Sequence, residues 1–320
     1  MASLRSKLRQ ILHQTGLRPI PPPPLPPVWM RPVPAAKPRP DGQPISFDEL
    51  AEYLDPSLLP VLDRPDVDTT LLTPEQLSWR QDGVVELKGF LPDDLVDAYS
   101  AVRSKLDHVG WLYATPYLDV PEMRDLALYP PLMAVMESLI GEPLMLHLAL
   151  TGWISSGRTW HQDDYLNPPH VASWYIAIWI ALDDIHPDSG PFEYLPGSHH
   201  WPLLRRDLVM AHLTDEELQR KEKLTGHNSW EKYAERFVTP AVDRKIEESG
   251  LPIRRFLGKK GDVLIWHGAL MHRGSVANIS HMPRKSLITH YSGVNHRHDM
   301  PNRAQHEGGG TYVLFDRPAS

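Results

Sequence analysis

Cysteine is absent from the chain's 320 residues. Disulfides, thiolate nucleophiles, iron–sulfur clusters and cysteine-ligated zinc are thereby excluded, and any metal must be held by nitrogen and oxygen. Long apolar runs are missing too. No stretch of 18 such residues exists, so no transmembrane helix is expected. The basic start lacks the continuous apolar segment of a secretory signal, which makes the cytoplasm the expected location. Acidic side chains are missing at one end only. Positions 1–40 hold seven basic residues (Arg5, Lys7, Arg9, Arg18, Arg31, Lys37, Arg39) and no acidic one. Taking those seven from the chain's 33 leaves 26 basic against 40 acidic residues in the rest. An acidic body is a poor partner for a phosphate backbone, so no nucleic acid is expected on it.

What remains is ordinary globular composition, 41% hydrophobic and 23% charged, at a length that holds a sizeable core. Proline is concentrated in one place: 11 of 33 lie within 19–40, including Pro21-Pro22-Pro23-Pro24. Such a run makes neither helix nor central strand and favours polyproline II. Residues 1–42 therefore read as a basic, proline-rich arm, with a short amphipathic helix over 4–16, and residues 43–320 as a single domain.

Within that domain the pattern changes twice. Helices are expected over 47–58, over 92–106 with Asp93 and Asp94 in the first turn, and over 131–140 with Gly141 as the stop. Strands are expected around 83–90, 144–153, 174–182 and 192–195. The 174–182 strand is apolar on both parities, Ile176, Ile178 and Ile180 on one face and Tyr175, Ala177 and Trp179 on the other, so both of its faces should be covered. Residues 200–258 interrupt with helix: Thr214 to Glu217 fits a capping box, and a second helix from 229 is expected to break at Pro240. Strands resume over 261–267 and 284–291, with 312–315 as a last one.

Chemistry concentrates at Trp160-His161-Gln162-Asp163-Asp164. On an extended backbone residues two apart share a face, so His161 and Asp163 would offer an imidazole nitrogen and a carboxylate oxygen to one point. A second histidine from elsewhere would complete the facial triad that holds non-haem Fe(II) with positions left open. Further along come Pro196-Gly197-Ser198-His199, then Gly261-Asp262, then His272-Arg273-Gly274-Ser275 with Asn278 and Arg284.

In this order the set resembles the phytanoyl-CoA dioxygenase family of Fe(II)- and 2-oxoglutarate-dependent oxygenases. The likeness runs from about residue 78 to 291 and includes Trp179-Ile180-Ala181-Leu182-Asp183-Asp184 and Gly190-Pro191-Phe192-Glu193. It implies a mainly β fold with flanking helices around a double-stranded β-helix (a jelly roll, cupin-like), with 200–258 as a helical lid insertion. It implies Fe(II) on His161, Asp163 and His272, with 2-oxoglutarate and O₂ as co-substrates. Arg284 matches the residue that holds the distal carboxylate of 2-oxoglutarate, while Ser275 and Trp179 lie at neighbouring co-substrate positions. The family pattern often has Gly-Ser directly after the distal histidine; here Arg273 intervenes. The implied reaction is hydroxylation of an aliphatic C–H bond of a small-molecule substrate. Related halogenases lack the carboxylate that Asp163 supplies.

Each position has a rival. His267 competes with His272, Asp164 with Asp163, and Arg273 or Lys285 with Arg284. Gly197 reads as a backbone requirement and His199 as a turn residue; His147, His170 and His290 read as core or pocket-rim histidines. Two other functions compete: a non-catalytic β-sandwich module that binds a ligand such as a glycan, and a Zn²⁺ hydrolase on the same ligands.

Overall fold

The computed structural model describes residues 44–106, 111, 114–155, 157–220 and 230–315. The arm over 1–42 and the helix expected at 4–16 lie outside them. The strands are β1 (Ala51–Glu52), β2 (Val84–Leu87), β3 (Leu144–Gly152), β4 (Tyr175–Ala181), β5 (Phe192–Tyr194), β6 (Leu203–Leu204), β7 (Arg254–Phe256), β8 (Val263–His267), β9 (His272–Gly274), β10 (Ser286–Gly293), β11 (Arg303–Gln305) and β12 (Thr311–Val313). Seven form a large sheet in the order β11-β12-β3-β10-β4-β8-β2, and three a small one, β7-β5-β9. Every pairing is antiparallel except β12 with β3. Among the described residues no helix is long and apolar enough to cross a membrane.

β4 shows how the sequence builds the layers. All seven of its residues are buried. Ile176, Ile178 and Ile180 pack outward with Val263, Ile265 and Leu287 against helices Pro74–Asp82, Asp93–Arg103, Pro121–Ala127 and Pro130–Ile140. Tyr175, Ala177, Trp179 and Ala181 pack inward with Leu264 and Trp266, meeting Phe192, Tyr194 and Phe256 of the small sheet. Ring contacts bridge the sheets, Trp179 to Phe256 at 5.5 Å and Phe192 to Trp266 at 4.8 Å between centroids. Strands sealed on both faces need the two-parity apolar pattern that β4 carries. This is the jelly-roll core with flanking helices.

Three local expectations are corrected. The helix expected over 47–58 stops after one turn, Phe47–Leu50, and the chain continues as β1 and a 3₁₀ turn, Pro56–Leu58. Pro56 rules out a helix that continues to 58, because it lacks an N–H and biases Asp55 toward extended backbone, and Ala51 and Glu52 pair instead with β6. Conversely, Trp230–Ser249 runs unbroken through Pro240. Its buried stripe of Trp230, Ala234, Val238, Ala241 and Val242 packs against Phe47, Leu50 and Leu213, and that burial outweighs one missing hydrogen bond. The inserted segment also ends sooner than expected, since β7 already belongs to the small sheet.

Candidate active site

The small sheet has an unlabelled fourth edge. His161 and His272 form an antiparallel bridge, each backbone N–H donating to the other's carbonyl at 3.1 Å. Arg158 adds a bond to Gly274 O at 2.8 Å. Residues directly opposite in such a pair carry side chains side by side, and the two imidazole centroids lie 4.3 Å apart. The extended backbone does not continue to Asp163. That residue has φ −75° and ψ −29° and begins the 3₁₀ turn Asp164–Leu166. His161 and Asp163 therefore do not share the face of one strand, as an i, i+2 spacing on extended backbone would have it. Asp163 is set instead by its N–H bond to Gly268 O, 2.8 Å, which Asp164 N–H shares at 3.2 Å. The approach requires a glycine: a Cβ on Gly268 would lie 2.7 Å from Tyr175 Cδ1 and 2.8 Å from Asp164 Oδ1.

The outcome is a compact N/O donor set. Asp163 Oδ1 is 3.6 Å from His161 Nε2, and its Oδ2 is 3.6 Å from His272 Nε2. One ligating atom from each of the three lies within 4.8 Å of the others, and all three residues are buried. Both imidazoles are oriented from behind: His161 Nδ1 meets Thr159 O at 2.7 Å, and His272 Nδ1 meets Leu270 O at 2.9 Å. A carbonyl accepts only from N–H, so each Nδ1 carries the proton and each Nε2 presents its lone pair to the shared point. Burial, with His272 beside it, holds His161 down to about 3, so the ring is neutral at pH 7. Burial would raise Asp163, but the positive charge that His272, His290 and His161 carry when protonated, together with the Trp266 hydrogen bond, holds its pKa below the ordinary range. Trp266 Nε1 donates to Asp163 Oδ2 at 3.0 Å. Two imidazoles and a carboxylate are the donors a non-haem Fe(II) centre takes.

Arg284 supplies the second half. It is buried, 5.9 Å from the Trp179 ring, and its Nη1 donates to Gly190 O and to Ser155 Oγ. No carboxylate among the described residues pairs with it, and its Nε has no partner. Burial alone lowers its pKa to about 10, so the guanidinium remains a buried cation with no counter-charge. Such a charge is costly unless an anion completes it. The site is tightly enclosed. Gly190, at φ +76°, has no room for a Cβ, which would sit 2.5 Å from Ser275 O and 2.6 Å from Ser155 Cβ.

The rivals are accounted for elsewhere. Odd positions of β8 face the helices, so His267 leaves the inner face that Trp266 occupies. Its Nε2 meets Asp63 Oδ2 at 3.0 Å, and its Nδ1 accepts from Ala269 N–H. Arg273 and Arg255 flank the buried Glu193, and Lys285 pairs with Asp183. The register pairs Glu193 with Arg273 on the outer face of the small sheet, so the intervening arginine leaves His272 in place. Asp164 accepts from Ser173 and is pushed by burial up to about 6. His199 meets Arg80 O, and Gly197 is left-handed at φ +80°. Ser275 stands near Arg284, but its hydroxyl donates to Pro191 O at 2.7 Å.

Sequence reasoning missed Trp266, whose inward parity on β8 was available, and Ser155, a loop serine with no signal. Two of the histidines read as core or pocket-rim residues, His147 and His290, join a polar group on the inner face with Tyr175 and Ser292. A bulge between His290 and Tyr291 leaves His147 without a partner in the β3–β10 ladder. Bulges re-aim side chains, and His147 Nε2 meets Ser292 Oγ at 2.9 Å. Next to it Tyr175 OH bonds His290 Nδ1, which lies 4.0 Å from Asp163 Oδ2. Burial lowers His290 to about 4. His170 pairs with Asp299.

The His267–Asp63 pair makes a pH-dependent contribution. Burial would lower His267, yet the Asp63 carboxylate and its hydrogen bond raise it above the ordinary 6.5. A raised folded-state pKa stabilises fully below the unfolded value and ceases to do so as pH rises through the folded one. Asp63→Asn is expected to cost about 1–3 kcal/mol and to cost more at pH 6 than at pH 9 in urea unfolding. An equal or larger cost at pH 9 would refute the pairing.

The chain is similar to several proteins of known activity. The family model described as phytanoyl-CoA dioxygenase (PhyH) matches residues 115–286. An ectoine dioxygenase of Nocardia farcinica (strain IFM 10152) is 25% identical over 236 residues, 70% of this chain and 72% of its own length. An L-proline trans-4-hydroxylase of Streptomyces griseoviridis is 24% identical over 188 residues, 54% and 64% of the two chains. Among solved structures, EctD from S. alaskensis with 2-oxoglutarate and 5-hydroxyectoine superposes with a TM-score of 0.53 at 19% identity, covering 78% of this chain and 84% of that one.

Proposed function

Because this chain belongs to the phytanoyl-CoA dioxygenase family and is a 2-oxoglutarate-dependent non-haem iron dioxygenase, we propose that it hydroxylates an aliphatic C–H bond of a small polar molecule. Its iron ligands are His161, Asp163 and His272, and Arg284 is its 2-oxoglutarate anchor. The observation that carries this reading is Arg284: a buried guanidinium without a counter-ion, on the interior that also holds the donor set. A glycan-binding module or a zinc hydrolase has no use for it.

Bound iron with 2-oxoglutarate and O₂ supplies the oxidising power for the C–H bond. The residues do the rest. His161 and His272 hold their lone pairs fixed through Thr159 O and Leu270 O. Trp266 holds the Asp163 carboxylate. Arg284 offers a planar fork to a carboxylate, with Trp179 against its face. Tyr175, His290, His147 and Ser292 give the inner face hydrogen-bonding groups of low charge, which suit a polar substrate.

The proposed chemistry belongs to residues 43–320, and deleting residues 1–42 should leave iron-dependent 2-oxoglutarate turnover nearly intact. The inserted helices serve as the lid. The relatives' names make ectoine and L-proline the first compounds to try, followed by a metabolite pool. Purified protein should show a visible charge-transfer band with Fe(II) and 2-oxoglutarate without oxygen. A substrate should raise succinate formation and yield a product carrying one atom of ¹⁸O from ¹⁸O₂. Turnover with Zn²⁺ and no 2-oxoglutarate would install the hydrolase instead, and a product without added oxygen would remove hydroxylation.

A further inference from the structure

The family match ends at residue 286, but the chain beyond it returns to the metal centre. After β10 and the turn Val294–His296, Arg297 is buried at 3% exposure. Its Nη1 donates to Asn167 Oδ1 at 3.1 Å and to Ser292 Oγ at 3.2 Å. Its Nε and Nη2 grip the two oxygens of Asp299 at 3.1 and 3.2 Å, so its charge is neutralised on the spot. Asp299 also meets His170 Nε2 at 3.1 Å. This segment thus holds both short turns that follow His161, Asp164–Leu166 through Asn167 and Pro169–Val171 through His170.

Asn167 is the joint. Its backbone N–H bonds Asp164 O at 2.9 Å, and its Nδ2 reaches Asp163 O at 3.4 Å. Leu166 N–H bonds Asp163 O at 3.0 Å. A single 3₁₀ turn has little stability of its own. Besides the bond to Gly268 O, this turn is what holds the Asp163 backbone, and Arg297 holds the turn. We propose that Arg297, acting through Asn167, is a positioning residue for the iron carboxylate, and that the segment beyond the family match is part of the Fe(II) site. The proposal rests on Asp163 being an iron ligand. The field around Asp163 is left nearly unchanged because Asp299 cancels the arginine; the effect is one of placement.

Anaerobic Fe(II) titration, followed by the charge-transfer band with saturating 2-oxoglutarate, tests it beside the melting temperature of each metal-free protein. Removing an outer partner of a metal ligand typically weakens binding about 10–100-fold. Asn167→Ala is expected at the lower end, about tenfold weaker than wild type. Asn167→Asp keeps the acceptor for Arg297 but gives up the Nδ2 donor to Asp163 O, so it should fall between wild type and Asn167→Ala. The double variant Asn167→Ala/Arg297→Ala should bind about as weakly as the weaker single variant, because both changes break one chain of contacts. Should Arg297→Ala fail to fold, the two Asn167 variants decide. Wild-type affinity in Asn167→Ala, or additive losses in the double variant, would each overturn the proposal. Asp163→Ala separates the premise: if it binds iron like wild type, the ligand assignment fails, whatever the Asn167 variants do.

Discussion

His272→Ala is expected to abolish Fe(II) binding and succinate formation, whereas His267→Ala, five residues away, should keep its iron. The two histidines look alike in the sequence and differ completely in place. His272 is bridged to His161 and aims Nε2 at Asp163, 3.6 Å away. His267 ends β8 on the helix-facing side, where Trp79 lies 5.1 Å off and Asp63 and the Ala269 amide occupy its two nitrogens. Losing His272 leaves one imidazole and one carboxylate, a donor pair expected to release its iron. Losing His267 instead leaves Asp63 without its partner, so the cost should appear in stability, about 1–3 kcal/mol, with the metal still bound. Anaerobic iron titration of His161→Ala, Asp163→Ala, His272→Ala and His267→Ala checks the set. Iron retained by His272→Ala and lost by His267→Ala would falsify the triad.

Arg284→Ala should raise the 2-oxoglutarate requirement at least about tenfold, which corresponds to about 1.4 kcal/mol or more, while Fe(II) still binds. The alanine removes the unneutralised guanidinium that makes the pocket attractive to a dicarboxylate. It also frees Gly190 O and Ser155 Oγ, which Arg284 now engages. Arg284→Lys should recover only part of the loss, because an ammonium restores charge without the planar fork. Titrating 2-oxoglutarate against the charge-transfer band measures this apart from turnover. Unchanged affinity in Arg284→Ala would return the assignment to Arg273 or Lys285, although both already have carboxylate partners.

Much of the architecture was legible in the chain. Alternation along β4 places the isoleucines toward the helices and Tyr175 and Trp179 toward the small sheet, because side-chain direction in a strand follows parity alone. Thr214 and Glu217 cap a helix through neighbours three residues apart, so that start is local too. The donor types for iron were equally local, being a matter of which residues exist when cysteine does not.

Tertiary structure alone decided the rest, wherever the outcome depends on which segment a residue meets. Parity says that His267 and His272 face opposite ways on one strand, but the chain turns between them and puts them in different sheets. His272 is selected by the bridge to His161, 111 positions distant in number and adjacent in space. Asp163 reaches the site through Gly268 and a 3₁₀ turn that no i, i+2 rule contains. His147 turns inward at a bulge created by its pairing with β10, and Arg297 reaches Asn167 across 130 positions. The physical reason is the same in each case: periodicity fixes the direction of a side chain relative to its own element, while the partner it finds there is set by long-range packing.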